Sequence, residues 1–178
     1  FHSVVVIDDY NRIDYGPIDL LLNPNPYFDH FNYNNQKAKK VEGGKDYVII
    51  SRAFQQSFVE KDNSSNDTNK IVVFIGGSDY RNLLPIILSS LIDLEEKNIH
   101  VIVGNTEDKL KVEKNFKTLD VHMNLSSEEM FSAFSSANLV ISGCGQTLHE
   151  LAVLGKPTIG ICIDIDQELN QNFYHKNG

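Results

Sequence analysis

The sequence predicts an α/β protein built on a doubly wound parallel sheet, and three observations support this prediction. Residues 71–75 form a continuous apolar run, which is typical of a parallel strand covered on both faces. Leu84, Leu88 and Leu91 then recur at helical spacing. Apolar runs and helical patterns go on alternating to the end of the chain. Such alternation predicts parallel strands joined by right-handed crossovers.

The elements of this region follow one another in a regular order. After the run at residues 71–75, further strands are predicted at residues 100–103, 119–123, 139–141 and 158–163. Helices are predicted from Thr106, after the capping box of Ser126 and Glu129, over residues 146–154 before Gly155, and from residue 166 onward.

The first part of the chain is richer in loops. Short apolar runs at residues 4–7, 20–22 and 47–50 predict strands between turns. Residues 23–44 are polar and rich in Asn, and we expect little regular structure there. Residues 60–70 contain no apolar side chain and indicate a linker. We therefore predict a partial N-terminal Rossmann-like domain over residues 1–57, a linker over 58–70 and a C-terminal domain over 71–178.

Composition argues against several classes of partner. A formal net charge of −8 argues against nucleic acid or an anionic membrane. No apolar run approaches the roughly 18 residues of a membrane span. Cys144 and Cys162 are too few for a disulfide framework, so reduced thiols and a cytoplasmic location are expected. His100 lies in a predicted strand and is expected to be structural. Neither a metal nor a cofactor is predicted, because metal-ligand spacing is lacking at His2, His30, His122 and His175.

Two loops that follow predicted strands have the composition of a phosphate site. Gly76-Gly77-Ser78-Asp79 follows the strand at residues 71–75, and its glycines let the backbone approach a ligand closely. Ser142-Gly143-Cys144-Gly145-Gln146-Thr147 leads into a helix, where N–H groups and the helix dipole favour an anion. Glu150 lies about one turn further on, where a carboxylate can accept hydrogen bonds from a ribose diol. Ligands of open α/β sheets bind at such loops.

Each of these signals also has a structural interpretation. A Gly-Gly pair after a strand is commonly a tight turn, and Glu150 alone fits a solvated helix residue. Cys144 at a helix N-terminus would have a lowered pKa and could resemble a nucleophile, but with no partner base it is better interpreted as a small packing residue. His149, beside Glu150, could face a ligand or be structural. The combination of signals on one sheet favours the phosphate site.

The same residues resemble the nucleotide-binding domain of GT-B-type enzymes. The matching segments are Val-Val-Phe-Ile-Gly-Gly-Ser-Asp-x-x-Asn-Leu at 72–83, Ser-Gly-Cys-Gly-Gln-Thr-x-x-Glu-Leu at 142–151, Leu-Gly-Lys-Pro-Thr at 154–158, and Gln167. Within that superfamily the chain resembles the UDP-sugar hydrolases of pseudaminic acid biosynthesis and their relatives in surface and spore-coat polysaccharide pathways. The segments at residues 5–10, 19–23 and 47–54 also resemble these hydrolases, so the resemblance covers nearly the whole chain.

The resemblance implies a role for each matching residue. Glu150 would hold the ribose, backbone groups near Leu125 would receive the uracil edge, and Asn82 and Gln167 would face the sugar or the phosphates. The implied nucleotide-binding residues together are Gly76, Gly77, Ser78, Asn82, Leu125, Ser142, Gly143, Gly145, Gln146, Thr147, Glu150 and Gln167. Tyr10 would be a catalytic residue, with Asp8 beside it.

The chain departs from the family pattern at two places. Family members begin with a Gly-rich loop that carries a histidine as the general base, and no such loop precedes Phe1. The chain as given is therefore expected to bind nucleotide but to catalyse poorly. An Asn-Gln pair of the family is Asp166-Gln167 here. Since a carboxylate repels phosphate, we expect Asp166 to turn away or the sugar to differ.

The resemblance favours hydrolysis of a UDP-linked amino sugar. Water would attack the anomeric carbon with inversion, while the two loops stabilise the charge of the leaving UDP. One alternative is a GT-B glycosyltransferase of the lipid-linked peptidoglycan type, which uses the same nucleotide domain with a sugar acceptor. Another is a non-catalytic module that only binds a nucleotide sugar.

Overall fold

A computed structural model describes residues 3–55, 69–94 and 98–177. The chain divides into two units, one comprising Phe1–Ile49 with Asn172–Gly178 and the other Ile50–Gln171. Each unit contains a parallel sheet. The predicted α/β class is therefore confirmed, whereas most of the predicted linker at residues 58–70 lies outside the described residues.

The smaller unit has a three-stranded parallel sheet in the order β1-β2-β3. Its strands are β1 (Val5–Ile7), β2 (Ile18–Asn23) and β3 (Ala38–Gly43). Strand β3 lies in the segment that was expected to be irregular, so that expectation was wrong. The reason is that β3 is a largely polar edge strand, held by backbone pairing of its Lys40 with Leu20 rather than by an apolar run.

A second expectation also fails in this part of the chain. The apolar run at residues 47–50 does not form a strand, because a 3₁₀ turn occupies Lys45–Tyr47. This turn follows Gly44, whose φ of 96° ends the extended backbone. A short helix, α1 (Arg52–Gln55), comes next and belongs to the larger unit.

The larger unit contains a five-stranded, all-parallel sheet in the order β6-β5-β4-β7-β8. The strands are β4 (Lys70–Phe74), β5 (Asn98–Val103), β6 (Asp120–Met123), β7 (Leu139–Gly143) and β8 (Thr158–Ile161). The helices that follow α1 are α2 (Leu84–Leu91), α3 (Thr106–Asn115), α4 (Ser127–Ser135) and α5 (Thr147–Leu154). A last helix, α6 (Glu168–Asn177), begins in the larger unit, and its residues from Asn172 onward belong to the smaller unit. None of the helices in the described parts of the chain has the length and apolar character needed to cross a membrane.

Both faces of this sheet are covered, as the apolar run of β4 predicts. Val73 lies in a cluster with Leu88 of α2 and Val112 of α3. Its neighbour Val72 lies in the opposite cluster with Phe134 of α4, together with residues of α1 and α5. Successive strand residues point to opposite faces, so each face has its own core. The doubly wound arrangement is thereby confirmed.

Local capping signals position the helices that follow the strands. The Ser126 hydroxyl accepts a hydrogen bond from the Glu129 N–H, and the Glu129 carboxylate accepts one from the Ser126 N–H, which confirms the predicted capping box. Helix α5 ends at Gly155, a left-handed residue with φ of 61°, as predicted.

The strand order creates a topological switch point beside β4. From β4 the chain builds β5 and β6 on one side and then returns to build β7 and β8 on the other. At such a point the connections leave adjacent strands in opposite directions, which opens a crevice at the carboxyl ends of the strands. The crevice lies between β4 and β7, where Phe74 pairs with Ser142.

Candidate functional site

The two glycine-bearing loops lie side by side at this switch point. The loop of residues 76–79 follows β4, and the loop of residues 142–147 includes the end of β7 and the start of α5. Gly76 has a φ of 120°, a conformation that side chains with a Cβ rarely adopt. Gly77 and Ser78 are exposed at the turn. The structure therefore brings both predicted loops to one edge of the sheet.

A buried carboxylate fixes the first loop to its helix. Asp79 is only 8% exposed, and its two oxygens accept hydrogen bonds from the N–H groups of Leu83 (2.7 Å) and Leu84 (2.9 Å). These N–H groups have no partner within the helix, so Asp79 caps α2 from the preceding turn. The Asp79 N–H in turn donates to a carboxylate oxygen of Asp108, 2.9 Å away.

Asn105 and Asp108 extend this network to the loop after β5. The Asn105 amide donates to the Gly77 carbonyl at 3.2 Å and to Asp108 at 2.6 Å. Its oxygen accepts from the Asp108 N–H and caps α3. The sequence revealed the start of α3 but not this link, because Asn105 lies 28 residues from Gly77. A Cβ at Gly104 would clash with the Gly77 carbonyl oxygen, so the close approach of these two loops requires glycine at residue 104.

The second loop is tightly packed at its beginning. Ser142 is fully buried, and its hydroxyl donates to the Gly143 carbonyl at 2.9 Å. A Cβ at Gly143 would lie 2.9 Å from the Ile75 carbonyl oxygen and 2.8 Å from Ile163. Packing alone therefore requires glycine at this position. The nucleotide role of Ser142 and Gly143 remains a prediction that concerns backbone groups rather than the Ser142 hydroxyl.

Gln167, at the end of a 3₁₀ turn that follows β8, holds the middle of the second loop. Its carbonyl oxygen accepts hydrogen bonds from the N–H groups of Cys144 and Ile163, both at 3.1 Å. A Cβ at Gly145 would lie 3.7 Å from the Gln167 amide nitrogen, so that nitrogen lies beside the loop. The resemblance implied that Gln167 faces sugar or phosphate. The observed contacts show how its oxygen shapes the loop, while its role towards sugar or phosphate remains a prediction. Asp166 beside it is exposed.

Burial decides the chemistry of Cys144 and His149. Burial, with a smaller effect of Cys162, raises the pKa of the Cys144 thiol to about 11, so the expectation of a lowered pKa at the helix N-terminus was wrong. His149 is 4% exposed, and burial lowers its pKa to about 4. The ring is therefore neutral at physiological pH.

The rest of the second loop opens towards solvent. Gln146 is exposed, while Gly145 and Thr147 are partly exposed at the start of α5. Glu150, in the first turn, is partly buried, and burial raises its pKa while the Ser51 side chain acts in the opposite direction. Glu150 is thus not a freely solvated residue, and its role towards a ribose remains a prediction.

Asp164 joins the loops that follow β4 and β8. Its carboxylate accepts a hydrogen bond from the Tyr80 hydroxyl at 2.7 Å and pairs with the Arg81 guanidinium at 3.2 Å. The Tyr80 hydrogen bond is the main cause that lowers the pKa of Asp164. Because β7 lies between β4 and β8, these contacts connect the two loops on either side of the second glycine-bearing loop.

An open cleft of about 530 Å³ adjoins the first loop. Asn82, a predicted site residue with left-handed φ of 54°, lines it on the α2 side. Three carboxylates face one cation, Lys111, in a lining that consists of Ser78, Asp79, Tyr80, Asn82, Asn105, Glu107, Asp108 and Lys111. This charge disfavours an anion in the cleft itself.

Three further predicted residues lie elsewhere. Asp8 and Tyr10 belong to the smaller unit, just after β1, where the Asp8 carboxylate accepts a hydrogen bond from the Tyr10 N–H at 3.0 Å. The Arg12 guanidinium lies 4.1 Å from the Tyr10 ring centroid. Leu125 follows Asn124, whose φ is 54°, in the loop after β6. The catalytic and uracil-binding roles of these residues remain predictions.

The structure also brings together three residues that spacing along the chain did not associate. His100 of β5 lies beside Asp120 and His122 of β6, and each contact between their polar atoms is 3.1 Å. The parallel register pairs His100 with Asp120. Only this register, not the sequence interval, could have indicated the cluster.

Fold and site together define an α/β domain with a crevice at the switch point of a parallel sheet. Residues 71–178 match the glycosyltransferase family 28 C-terminal domain. This match covers more than half of the chain, and the chain belongs to that family.

A likeness in fold extends over almost the whole chain. The crystal structure of MurG from Acinetobacter baumannii superposes with a TM-score of 0.57 at 16% sequence identity, covering 99% of this chain and 51% of that one. The chain thus spans about half the length of that protein. The comparison with curated proteins finds no match. The family and the fold support the GT-B glycosyltransferase superfamily, whereas the resemblance to UDP-sugar hydrolases finds no support in these comparisons.

Proposed function

We propose that the larger unit binds the diphosphate of a nucleotide-sugar donor on the loops after β4 and β7, as the donor-binding part of a GT-B glycosyltransferase. One observation carries the proposal. In a chain of the glycosyltransferase 28 C-terminal family, the two glycine-bearing loops meet at the switch point of the sheet. This is where doubly wound sheets bind nucleotides.

Backbone groups are the expected phosphate ligands. At the start of α5 the N–H groups of Leu148 and His149 already donate to the carbonyls of Gly145 and Gln146. The phosphate ligands proposed here are therefore the N–H groups of Gly145 and Thr147, and the helix dipole contributes about 0.3–1 kcal/mol towards an anion beside them. Gly77 and Gly145 leave room for the backbone to approach the phosphate oxygens. Such a site needs no basic patch, which is compatible with the net charge of −8.

The same backbone N–H groups would assist the transfer of a sugar from the nucleotide-sugar donor. When the bond from the anomeric carbon to the donor phosphate breaks, negative charge accumulates on the leaving nucleoside diphosphate. N–H groups already aimed at the phosphate stabilise that charge without reorganisation. An acceptor hydroxyl would attack the anomeric carbon and release its proton to a base. The resemblance suggests Tyr10 and Asp8 of the smaller unit as catalytic candidates.

Calorimetric titration of the full chain with UDP and with uridine tests the diphosphate site. Binding of UDP at least about tenfold tighter than uridine supports it, since charge-assisted hydrogen bonds to the phosphates then contribute more than about 1.4 kcal/mol. Equal affinities would contradict it. GDP and ADP, titrated in parallel, report on the choice of base.

Turnover of UDP-N-acetylglucosamine distinguishes transfer from its alternatives. UDP release that depends on an added sugar acceptor supports the glycosyltransferase. Equal release in water alone would support the hydrolase, and tight binding without release would support a non-catalytic module.

A further inference from the structure

We propose that His100, Asp120 and His122 form a binding site for a divalent transition-metal ion, with Zn²⁺ the best-matched cation. Three potential ligand atoms converge there: Nδ1 of His100, Nε2 of His122 and one carboxylate oxygen of Asp120. Each pair of these atoms is 3.1 Å apart. The proposal does not depend on the nucleotide site.

The backbone explains why the three side chains meet. Asp120 and His122 are alternate residues of β6 and therefore point to the same face of the sheet. In the parallel register His100 pairs with Asp120, while Ile102 of the same face pairs with His122. Two adjacent strands thus supply all three ligands, and the two imidazole rings lie nearly parallel, with an interplanar angle of 7° and centroids 5.4 Å apart.

The size of the triangle suits a metal ion. An ion at about 2.1 Å from each ligand atom would see those atoms at mutual angles of roughly 95°, between octahedral and tetrahedral values. It would lie roughly 1.1 Å out of their plane, leaving further positions for water. With the nitrogens 3.1 Å apart and the ring centroids 5.4 Å apart, each ring nitrogen points almost directly at the other, so both rings must turn towards the ion when it binds. A single cation interacts favourably with all three atoms.

The surroundings allow a cation to enter and hold it in place. The side chain of Asp120 is 55% exposed and that of His122 is 35% exposed, whereas that of His100 is 17% exposed. One ligand is therefore fixed in the sheet and two are accessible from solvent. Two imidazoles and one carboxylate are ligands that zinc accepts. A bound ion would connect β6, the edge strand, to its neighbour β5.

The test is titration of untagged, EDTA-treated full chain with Zn²⁺, followed by calorimetry and by thermal unfolding. We expect one Zn²⁺ per chain with micromolar affinity and a rise in Tm, because a ligand that binds only the folded state stabilises it. Asp120→Asn and His122→Ala should each weaken binding at least about tenfold. His175→Ala, which removes an exposed histidine outside the cluster, should bind as the wild type does.

Co²⁺ spectra exclude the cysteines as the source of binding. The expected spectrum has ligand-field bands without sulfur-to-metal charge transfer. Such charge transfer would contradict the proposal, and so would the absence of micromolar binding or unchanged affinity in both cluster variants. Circular dichroism without metal checks that each variant folds. If His122→Ala does not fold, the result for Asp120→Asn, a near-isosteric change at an exposed carboxylate, decides.

Discussion

The side-chain carbonyl oxygen of Gln167 accepts a hydrogen bond from the backbone N–H of Cys144 across 3.1 Å, and these residues are 23 positions apart. The same oxygen accepts from the Ile163 N–H. A single side chain after β8 thus holds the backbone of the loop after β7. The proposed phosphate ligands belong to that loop, so its geometry should depend on Gln167.

Replacing Gln167 by Ala should destabilise the fold and weaken nucleotide binding. The Ile163 N–H would lose its acceptor, at a cost of about 1–3 kcal/mol unless water replaces it, whereas the Cys144 N–H keeps a second acceptor in the Ile161 carbonyl at 3.1 Å. Urea unfolding measures the loss, and calorimetry with UDP the change in affinity. Gln167→Glu is the control, because it keeps the acceptor oxygen and should retain more stability than Gln167→Ala. Equal unfolding midpoints for wild type and Gln167→Ala would contradict this role.

Asp79 is expected to stabilise the turn that leads into α2. Asp79→Ala removes the acceptor of the Leu83 and Leu84 N–H groups and should lower the free energy of unfolding by about 1–2 kcal/mol. Asp79→Asn keeps one oxygen acceptor and should lose less. Chemical denaturation of the three proteins gives the comparison, and an Asp79→Ala protein as stable as the wild type would disprove the capping role.

Cys144 should be inert towards alkylation. Its thiol is fully buried and has a pKa of about 11, so very little reactive thiolate exists at pH 8. Mass spectrometry after iodoacetamide treatment of the folded chain should show modification of the partly exposed Cys162 first, and of Cys144 only after denaturation. Faster labelling of Cys144 in the native protein would show that the loop is more open than described.

His149 should make stability fall as the pH is lowered from about 6.5 to 4. The unfolded chain takes up a proton at the ordinary histidine pKa of about 6.5, whereas the folded chain does so only near 4. Between these values the unfolded state binds more protons, so acidification favours unfolding by up to about 3 kcal/mol. Unfolding free energies across this range should depend less on pH in His149→Gln than in the wild type. His175→Gln, at an exposed position, should retain the wild-type slope.

Local signals in the sequence predicted most strands and helices of the five-stranded sheet region. The Ser126–Glu129 capping box and the stop at Gly155 depend on residues within four positions of each other, and both are present. The run at residues 71–75 indicated a strand buried on both faces, and Val72 and Val73 are fully buried. Alternation then predicted the doubly wound sheet.

Long-range relationships were not predictable in this way. Strand β3 has few apolar residues, and its pairing with β2 fixes it. The contacts of Asn105 with Gly77 and of Gln167 with Cys144 join separate loops whose distance only the folded sheet determines. Cys144 shows a further limit. Its place before a helix suggested a lowered pKa, but burial, which the sequence does not report, raises the pKa of the thiol.

The two glycine-bearing loops were found from composition, whereas their side-by-side position required the strand order. The Gly-Gly and Ser-Gly-Cys-Gly motifs lie more than 60 residues apart in the chain. Since β7 pairs with β4, they flank one crevice. The central claim is that a diphosphate binds there.

The affinity of Gly145→Asp and Gly145→Asn for UDP, measured by calorimetry, tests this claim most directly. A Cβ at Gly145 meets the Gln167 amide nitrogen at an ordinary contact distance of 3.7 Å, so both side chains can be accommodated and differ chiefly in charge. The carboxylate should weaken UDP binding about tenfold or more through repulsion, and the amide only a few-fold. If UDP binds equally well to both variants and to the wild type, the diphosphate does not lie on this loop.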